Sequence, residues 1–472
     1  KASVVIGNPP FLGGSKKRRE LGDAYFEALD SVFTGRVPGG ADLVAYWFDK
    51  ARREIVEVGL GAAGLVSTQS IRAGSNRKVL DSVVRDTRIF SAWADEPWVN
   101  DGASVRVSLV SFGSGRGCEL DGASVPRITS DLRGLVGVDL TTASRLKENM
   151  NRAFKGAEKS GDFDVPGELA RSWLRRPNPH SKSNSDVLRP WFNGGDLTDG
   201  RPADHWIIDF GVSTTEAEAS LYEAPFAYLV KEVKPERQKN EDRGRRENWW
   251  RFGRNGADMR AGVLGLPRYL VTVRTSKFRT FVWFDPRCSP DSRLFVIASS
   301  EDFMFGVLSS RIHEVWSLAT ASMHGVGNDP TYNAKSCFET FAFPTYTDLQ
   351  SDIKPQIARA AKRLNDLREA WLNPPEWVDR VPEVVPLGMA TSPYPDRILP
   401  KPGHEKDLAE RTLTKLYNQR PAWLDAAHKA LDLAVAAAYG WADYTAEMPD
   451  EEILKRLLAL NLERAKAEGG KA

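Results

Sequence analysis

The feature that most constrains this chain is the run Ser3-Val4-Val5-Ile6 broken at once by Gly7-Asn8-Pro9-Pro10-Phe11. The β-branched apolar residues Val4, Val5 and Ile6 make a short buried strand of the parallel type, and two consecutive prolines can extend neither a helix interior nor a central strand. The chain must therefore leave the sheet at Gly7 in a stiff loop. Beyond it, Ala41 to Val58 places Leu43, Val44, Trp47, Phe48, Ala51, Ile55 and Val58 at helical spacing. Ala63 to Ser70 reads as a strand, Gly74 to Asp86 as a helix, and Ser104 to Phe112, after the Asp101-Gly102 turn, as a third strand. Strand, helix, strand, helix, strand is the pattern of half of a doubly wound α/β sheet.

Later segments follow different rules. From 141 to 345 the chain is rich in Trp, Arg, Pro and Gly, with short strands expected at Tyr269 to Val273, Phe281 to Phe284 and Leu294 to Ala298, which describes an α+β unit. After Pro344 helices are expected at Ile353 to Trp371, Glu405 to Tyr417, Pro421 to Tyr439 and Glu451 to Ala467. Pro374-Pro375 and Pro393 to Pro402 interrupt them, so the reading is a helical tail with mobile connections. At 472 residues the chain is too long for one ordinary core, and the expected division is 1–140, 141–345 and 346–472.

Composition narrows the class. With 41% hydrophobic and 27% charged residues the chain is of globular type, and its longest apolar stretch, Leu431 to Trp441, is too short to span a membrane. Cys118, Cys288 and Cys337 form no CxxC pair, and the six histidines show no ligand spacing. A reducing, cytoplasmic setting without metal or membrane is expected. Lys1 leads straight into the first strand with no initiator Met, which suggests that the protein extends upstream.

The Asn8-Pro9-Pro10-Phe11 loop also suits a specific chemistry. The exocyclic nitrogen of adenine is a poor nucleophile because its lone pair is delocalised into the ring. Methylating it requires acceptors for both N6 hydrogens, and the Asn8 side-chain oxygen with the carbonyl of Pro9 can supply them. Pro9 and Pro10 fix that backbone at little entropic cost on binding, and Phe11 offers a face for a flipped base. A plain Asn-Pro turn is the alternative, but Asn-Pro-Pro with a following aromatic arises by chance in about one such chain in several hundred. Gly59-Leu60-Gly61-Ala62-Ala63-Gly64 matches a dinucleotide fingerprint literally, yet a helix precedes it and a strand follows, the reverse of what phosphate binding needs. It reads as a helix stop and a turn.

Further candidates are weaker. Phe112, at the end of the third strand and near Arg116, is either a second stacking surface or a core aromatic, and Trp98 beside Pro97 competes for the same role. Net charge is only +2, but Lys231 to Thr280 holds 14 Lys and Arg against 6 Asp and Glu. Within it Arg245, Arg246, Trp249, Trp250, Arg251 and Arg254 interleave cations with aromatics, and Arg274, Lys277 and Arg279 follow. Such a mixture can grip phosphates and enter a groove. A solvated charged loop is the alternative.

These residues lead to a resemblance. VVIGNPPFLGG at Val4 to Gly14, ADLVAYWFDKA at Ala41 to Ala51, GLVSTQSIRAGSNRKVL at Gly64 to Leu80 and the GASVRVSLV strand resemble gamma-class N6-adenine DNA methyltransferases. NSDVLRPWFNGGDL at Asn184 to Leu197, GVGNDPTYN at Gly325 to Asn333, FETFAFP at Phe338 to Pro344 and LDLAVAAAYGW at Leu431 to Trp441 extend the likeness to the MmeI-like type IIL group and the DISARM adenine methylase. The resemblance implies the C-terminal half of a Rossmann-like, class I methyltransferase sheet, an α+β target-recognition domain and a helical C-terminal region. It also implies S-adenosylmethionine as cofactor, met partly by Asn8 and Pro10, double-stranded DNA as partner, and a place in restriction-modification or antiviral defence beside other defence subunits. The family's glycine-rich cofactor loop precedes NPPF and has no counterpart in this chain, so a non-catalytic DNA-recognition module is the alternative. A protein glutamine methyltransferase, which uses a similar loop, fits the long recognition region less well.

Overall fold

The computed structural model describes residues 3–14, 16–100, 103–134, 138–324, 329–345 and 352–469. The chain forms two compact units, Lys1–Thr142 and Ala143–Ala472. In the first, β1 (Val4–Gly7) leads through the proline loop to α1 (Lys17–Leu21), α2 (Asp23–Phe33) and α3 (Leu43–Arg53), then β2 (Ala62–Thr68), α4 (Gly74–Asp86) and the long strands β3 (Ile89–Asn100) and β4 (Ala103–Gly113). Short strands β5 (Glu119–Leu120) and β6 (Ala123–Ser124) complete a sheet in the order β1-β2-β4-β3-β5-β6.

β1 and β2 are parallel, with Val4 opposite Ala62 and Gly7 opposite Leu65. β1 is the outer strand of this sheet, and Val4, Val5 and Ile6 are exposed where a buried strand was expected. β4 then enters antiparallel to β2, and β3 pairs antiparallel with β4. The sheet is therefore mixed, where the alternation of elements predicted a parallel half-sheet. Ile89–Asn100 was not expected as a strand. Asp95, Glu96 and Pro97 spoil its period of two, and the structure absorbs them as a register shift between Trp93 and Glu96. The Asp101-Gly102 turn lies outside the described residues. Val44, Ala45, Phe48, Leu80, Val83, Val110 and Phe112 form the core that fixes α3 and α4 on the sheet.

Gly59 ends the π-helical turn that continues α3, in the left-handed conformation at φ 82°. Leu60 donates to the Glu54 carbonyl and Gly61 to that of Ser3 before β2 begins. The GxGxxG run is a helix stop and turn, as its context predicted.

The second unit holds two four-stranded sheets. β7 (Ala153–Lys155), β8 (Asp164–Pro166), α5 (Gly167–Leu174), β9 (Leu188–Phe192), α6 (Gly194–Asp199) and β10 (His205–Ile208) come first. A helical stretch follows, α7 (Glu216–Ser220), α8 (Glu223–Glu232), α9 (Lys234–Gln238), α10 (Arg243–Glu247) and α11 (Ala257–Val263). Then come β11 (Tyr269–Val273), β12 (Phe281–Phe284), β13 (Ser289–Pro290) and β14 (Leu294–Ile297). The sheets run β13-β9-β10-β8 and β12-β11-β14-β7. Beyond them lie α12 (Asp302–Ser309), α13 (Arg311–Thr320), hairpin β15 (Ser322–His324) with β16 (Asp329–Thr331), α14 (Ile353–Leu372), hairpin β17 (Val378–Val381) with β18 (Arg397–Pro400), α15 (Glu405–Ala409), α16 (Leu413–Gln419), α17 (Ala422–Ala438) and α18 (Asp450–Ala467).

The expected helices appear, except that Glu405 to Tyr417 is split into α15 and α16. The C-terminal helices are packed into the second unit, where a tail with mobile connections was expected. Arg201 donates to the carbonyls of Leu372 and Leu408, and buried Asn461 bonds Ser144 and Thr340. The proline-rich connection is strapped down by the Arg171–Glu383 ion pair and by Tyr394, whose hydroxyl donates to the Leu188 carbonyl. Gly325 to Asn328 of the GVGNDPTYN block lie outside the described residues. No helix among the described residues is long and apolar enough to cross a membrane.

Candidate functional site

The loop Asn8 to Gly14 leaves the sheet where β1 ends, and its groups divide into those that are fixed and those that are offered. Pro9 is buried, whereas Asn8, Pro10 and Phe11 are exposed, Phe11 by 37%. The Asn8 side-chain amide has no hydrogen-bond partner among the described residues, and no loop or turn hydrogen bond is donated to the Pro9 carbonyl. In a stiff loop, acceptors without internal partners can be reached by a donor without any internal bond breaking first.

The far end of the loop is clamped by Asp42. This residue holds the N-cap position of α3, where an Asp ordinarily accepts a bond from the first turn. Its carboxylate makes no such bond. One oxygen accepts from the Gly14 N–H at 2.9 Å, and the other from the Ser70 hydroxyl at 2.6 Å and the Asn76 amide at 3.0 Å. Asn76, in the first turn of α4, in turn accepts from the Asp42 N–H at 2.6 Å. Leu43 N–H donates to the Leu12 carbonyl at 2.9 Å. The loop is thus held by the β1–β2 ladder on one side and by a four-residue polar knot joining α3, α4 and the end of β2 on the other.

Gly14 is required for this geometry, since a Cβ there would lie 2.2 Å from the Gly40 carbonyl oxygen. Lys17 tightens the same corner. It is fully buried, donates to the Gly39 carbonyl at 3.1 Å and to the Tyr46 hydroxyl at 2.9 Å, and lies 4.6 Å over the Tyr46 ring. Burial lowers its pKa, opposed by Asp42 and Asp30, and burial raises that of Tyr46. Sequence reasoning missed Asp42, Ser70, Asn76 and Lys17. The signal that could have found Asp42 is an N-cap-type residue preceding an amphipathic helix, although its tertiary use is not local information.

The stacking candidates separate. Phe112 is fully buried, with its ring 5.8 Å from that of Phe48 and nearly parallel to it. It is a core aromatic, and the stacking alternative is set aside because no base can reach it. Trp98 remains 37% exposed on β3. Arg116 is exposed without an ion pair among the described residues.

The basic segment is largely turned inward. Trp249 and Trp250 are 2% and 6% exposed and belong to the core of the second unit, their indole N–H groups donating to Glu216 and to the Thr214 carbonyl. They cannot line a groove, which corrects the sequence expectation: burying a large ring outweighs leaving it in solvent. Arg279 is corrected likewise, being 6% exposed and bonded to the Val273 and Pro330 carbonyls. Arg251 donates to the Thr214 carbonyl and Arg246 to those of Asn240 and Glu241. Arg245 and Arg254 pair loosely, at 3.9 Å each, with Asp242 and Glu158, and the Arg254 side chain stays 71% exposed. Lys277 is exposed and bonds Asn418, while Arg274 is half-buried. Among the described residues no group of three or more His, Cys, Asp or Glu is placed to hold a metal, and the three cysteines are buried thiols.

The family model for the DNA-methyltransferase domain of MmeI matches residues 1–119, and that for the target recognition domain of MmeI matches residues 175–345. The fold superposes on the type IIL restriction-modification enzyme MmeI, solved in complex with DNA, with a TM-score of 0.70 at 20% identity, covering 98% of this chain and 57% of that one. The type IIG restriction endonuclease BpuSI aligns over 99% of this chain and 55% of its own at 12% identity, with a TM-score of only 0.26. Curated proteins give no match. This chain therefore carries an MmeI-like DNA-methyltransferase domain and an MmeI-like target recognition domain, and spans little more than half the length of the MmeI chain.

Proposed function

We propose that this chain is the base-capturing and target-recognising part of a site-specific adenine-N6 DNA methyltransferase of the gamma class, serving bacterial restriction-modification or antiviral defence of the DISARM kind. The observation that carries the reading is the stiff, doubly anchored NPPF loop whose Asn8 amide and Pro9 carbonyl are unused. A target adenine flipped out of duplex DNA, at a cost of a few kcal/mol, would donate its two N6 hydrogens to these two acceptors. That draws the nitrogen toward tetrahedral geometry and frees its lone pair. Phe11 covers one face of the base, and Trp98 is the remaining candidate for the other.

S-adenosylmethionine supplies the methyl group. The residues here fit one side of its site: Asn8 and Pro10 are exposed at the end of β1, whose outer edge has no strand partner among the described residues. The glycine-rich part of that site would come from upstream sequence or a partner chain. After transfer, the proton on N6 is released to solvent. Of the DNA contacts read from the sequence, Arg116, Arg254, Arg274 and Lys277 remain candidates, with Arg245, Arg246 and Arg251 committed mainly to internal partners.

The alternative is a non-catalytic recognition module. Asn8→Ala in the complete protein separates the two. Methyl transfer to target DNA should fall by roughly 10³-fold or more, with duplex affinity nearly unchanged. Undiminished methylation would reject the adenine-methyltransferase reading.

A further inference from the structure

The cations of the basic segment are largely consumed by the fold. Of the 14 between Lys231 and Thr280, eight pair with carboxylates: Lys231, Lys239, Arg243 and Arg245 with neighbours one to four residues away, and Lys234, Arg254, Arg260 and Arg268 with residues distant in sequence. Four more donate to backbone carbonyls. A different stretch of the same unit has the opposite character.

Between α5 and β9, the loop Arg175-Arg176-Pro177-Asn178-Pro179-His180-Ser181-Lys182 is exposed throughout except at Asn178. Arg175, Arg176 and Lys182 make no ion pair and no side-chain hydrogen bond among the described residues. The nearest carboxylate influence is Glu218, whose pKa is lowered first by its bonds to Thr215 and in smaller part by Lys182. A helix C-terminus attracts cations, which accounts for Arg175 closing α5 but not for Lys182, seven residues on.

The loop is nevertheless rigid. Asn178 donates to the Lys182 carbonyl at 3.2 Å and to Asn184 at 2.8 Å, and accepts from the Glu223 N–H at 3.1 Å. Asn184, 1% exposed, donates to the Trp173 carbonyl at 2.8 Å, tying the loop's exit to its entrance. Held this way, His180 and Ser181 adopt consecutive left-handed conformations, at φ 54° and 56°. Two adjacent non-glycine residues in that region are unfavourable, and such strain persists where the surroundings impose it, commonly at ligand clamps.

We propose that the loop Arg175 to Lys182 is a DNA phosphate clamp of the recognition unit, with Arg176 and Lys182 as its principal contacts. Free, exposed cations on a pre-ordered loop bind phosphate without first breaking an internal pair, which the cations of α8, α9 and α10 must do. The Pro177 and Pro179 rings and the Asn178 anchor fix the spacing of the cations, so ordering the loop on DNA costs little. This inference rests on the proposed DNA-directed function and goes beyond it in naming the surface.

The test compares two triple variants of the complete protein. One is Arg175→Gln, Arg176→Gln, Lys182→Gln; the other is Lys231→Gln, Lys239→Gln, Arg243→Gln. Affinity for a duplex is measured across salt concentrations, because removing a cation that neutralises one phosphate flattens the log–log salt slope by about 0.9. The loop variant should lose about two to three units of slope and at least about tenfold in affinity, equally on target and scrambled duplexes. The second variant should keep the wild-type slope. A loop variant with wild-type slope and wild-type melting temperature overturns the clamp alone. A wild-type protein with no salt-dependent duplex binding overturns the clamp and the DNA-directed function together. Should the triple variant melt early, Arg176→Gln alone must still shift the slope by nearly one unit, and an unshifted slope overturns the clamp.

Discussion

The NPPF loop and the Arg-Trp segment around Trp250 look alike in sequence: each is a short run of unusual residues with an obvious ligand. The fold treats them oppositely. At the loop, the exposed Asn8 amide and the carbonyl of buried Pro9 stay unpaired while the fold spends its bonds on Gly14, Leu12 and Asp42 around them. In the segment, the aromatics enter the core and the arginines satisfy carbonyls and carboxylates. Two runs of similar promise in sequence thus differ in what the surrounding structure leaves unsatisfied at them.

The sharpest way to break this comparison is Trp250→Ala. As a core residue whose indole N–H bonds the Thr214 carbonyl, Trp250 should cost about 3–5 kcal/mol of stability on truncation, visible as a lower denaturant midpoint. A groove-lining tryptophan would instead weaken DNA binding with the midpoint preserved. Next in size is Asp42→Ala. It removes the acceptor for Gly14, Ser70 and Asn76, and should slow single-turnover methyl transfer by about 10- to 100-fold through a displaced loop. Duplex affinity should hold, and the double exchange Asp42→Asn, Asn76→Asp, which rebuilds a reciprocal pair, should recover part of the rate. An unchanged rate for Asp42→Ala would mean that the β1–β2 ladder alone positions the loop.

Legibility in the sequence followed the range of the forces involved. The end of β1 at Gly7, the helices at 43–53, 74–86, 353–372 and 422–438, and the turn at Gly59 were readable because prolines, glycines and apolar periodicity act locally. β3 was not, because Asp95-Glu96-Pro97 breaks the alternation and only pairing with β4 reveals the bulge. The NPPF loop was legible for the same local reason, whereas the Asp42 clamp depends on a carboxylate bridging residues 28 positions apart on either side. Phe112 and Trp249 were ambiguous because sequence does not distinguish an aromatic that meets a ligand from one that meets Phe48 or Phe226.

The smallest expected effect sets the scale for the rest. Arg243 and Glu247 lie four apart on α10, with nitrogen and oxygen 2.6 Å apart and side chains 80% and 56% exposed. Exposed pairs at this spacing contribute about 0.3–0.5 kcal/mol, and the order here, with the acid C-terminal to the base, is the less favourable one. A double-mutant cycle with Arg243→Gln and Glu247→Gln should therefore return a coupling near or below that range, shrinking further as salt is added. Such a weak pair could release its arginine to DNA at little cost, so energy alone does not keep Arg243 off a phosphate. What distinguishes it from Arg176 is the carboxylate that stays beside it after release: Glu247 repels the same phosphate. Glu247→Gln should then leave duplex affinity unchanged, because α10 does not meet the duplex; a rise in affinity would place DNA on α10 and count against the Arg175–Lys182 loop as the phosphate contact.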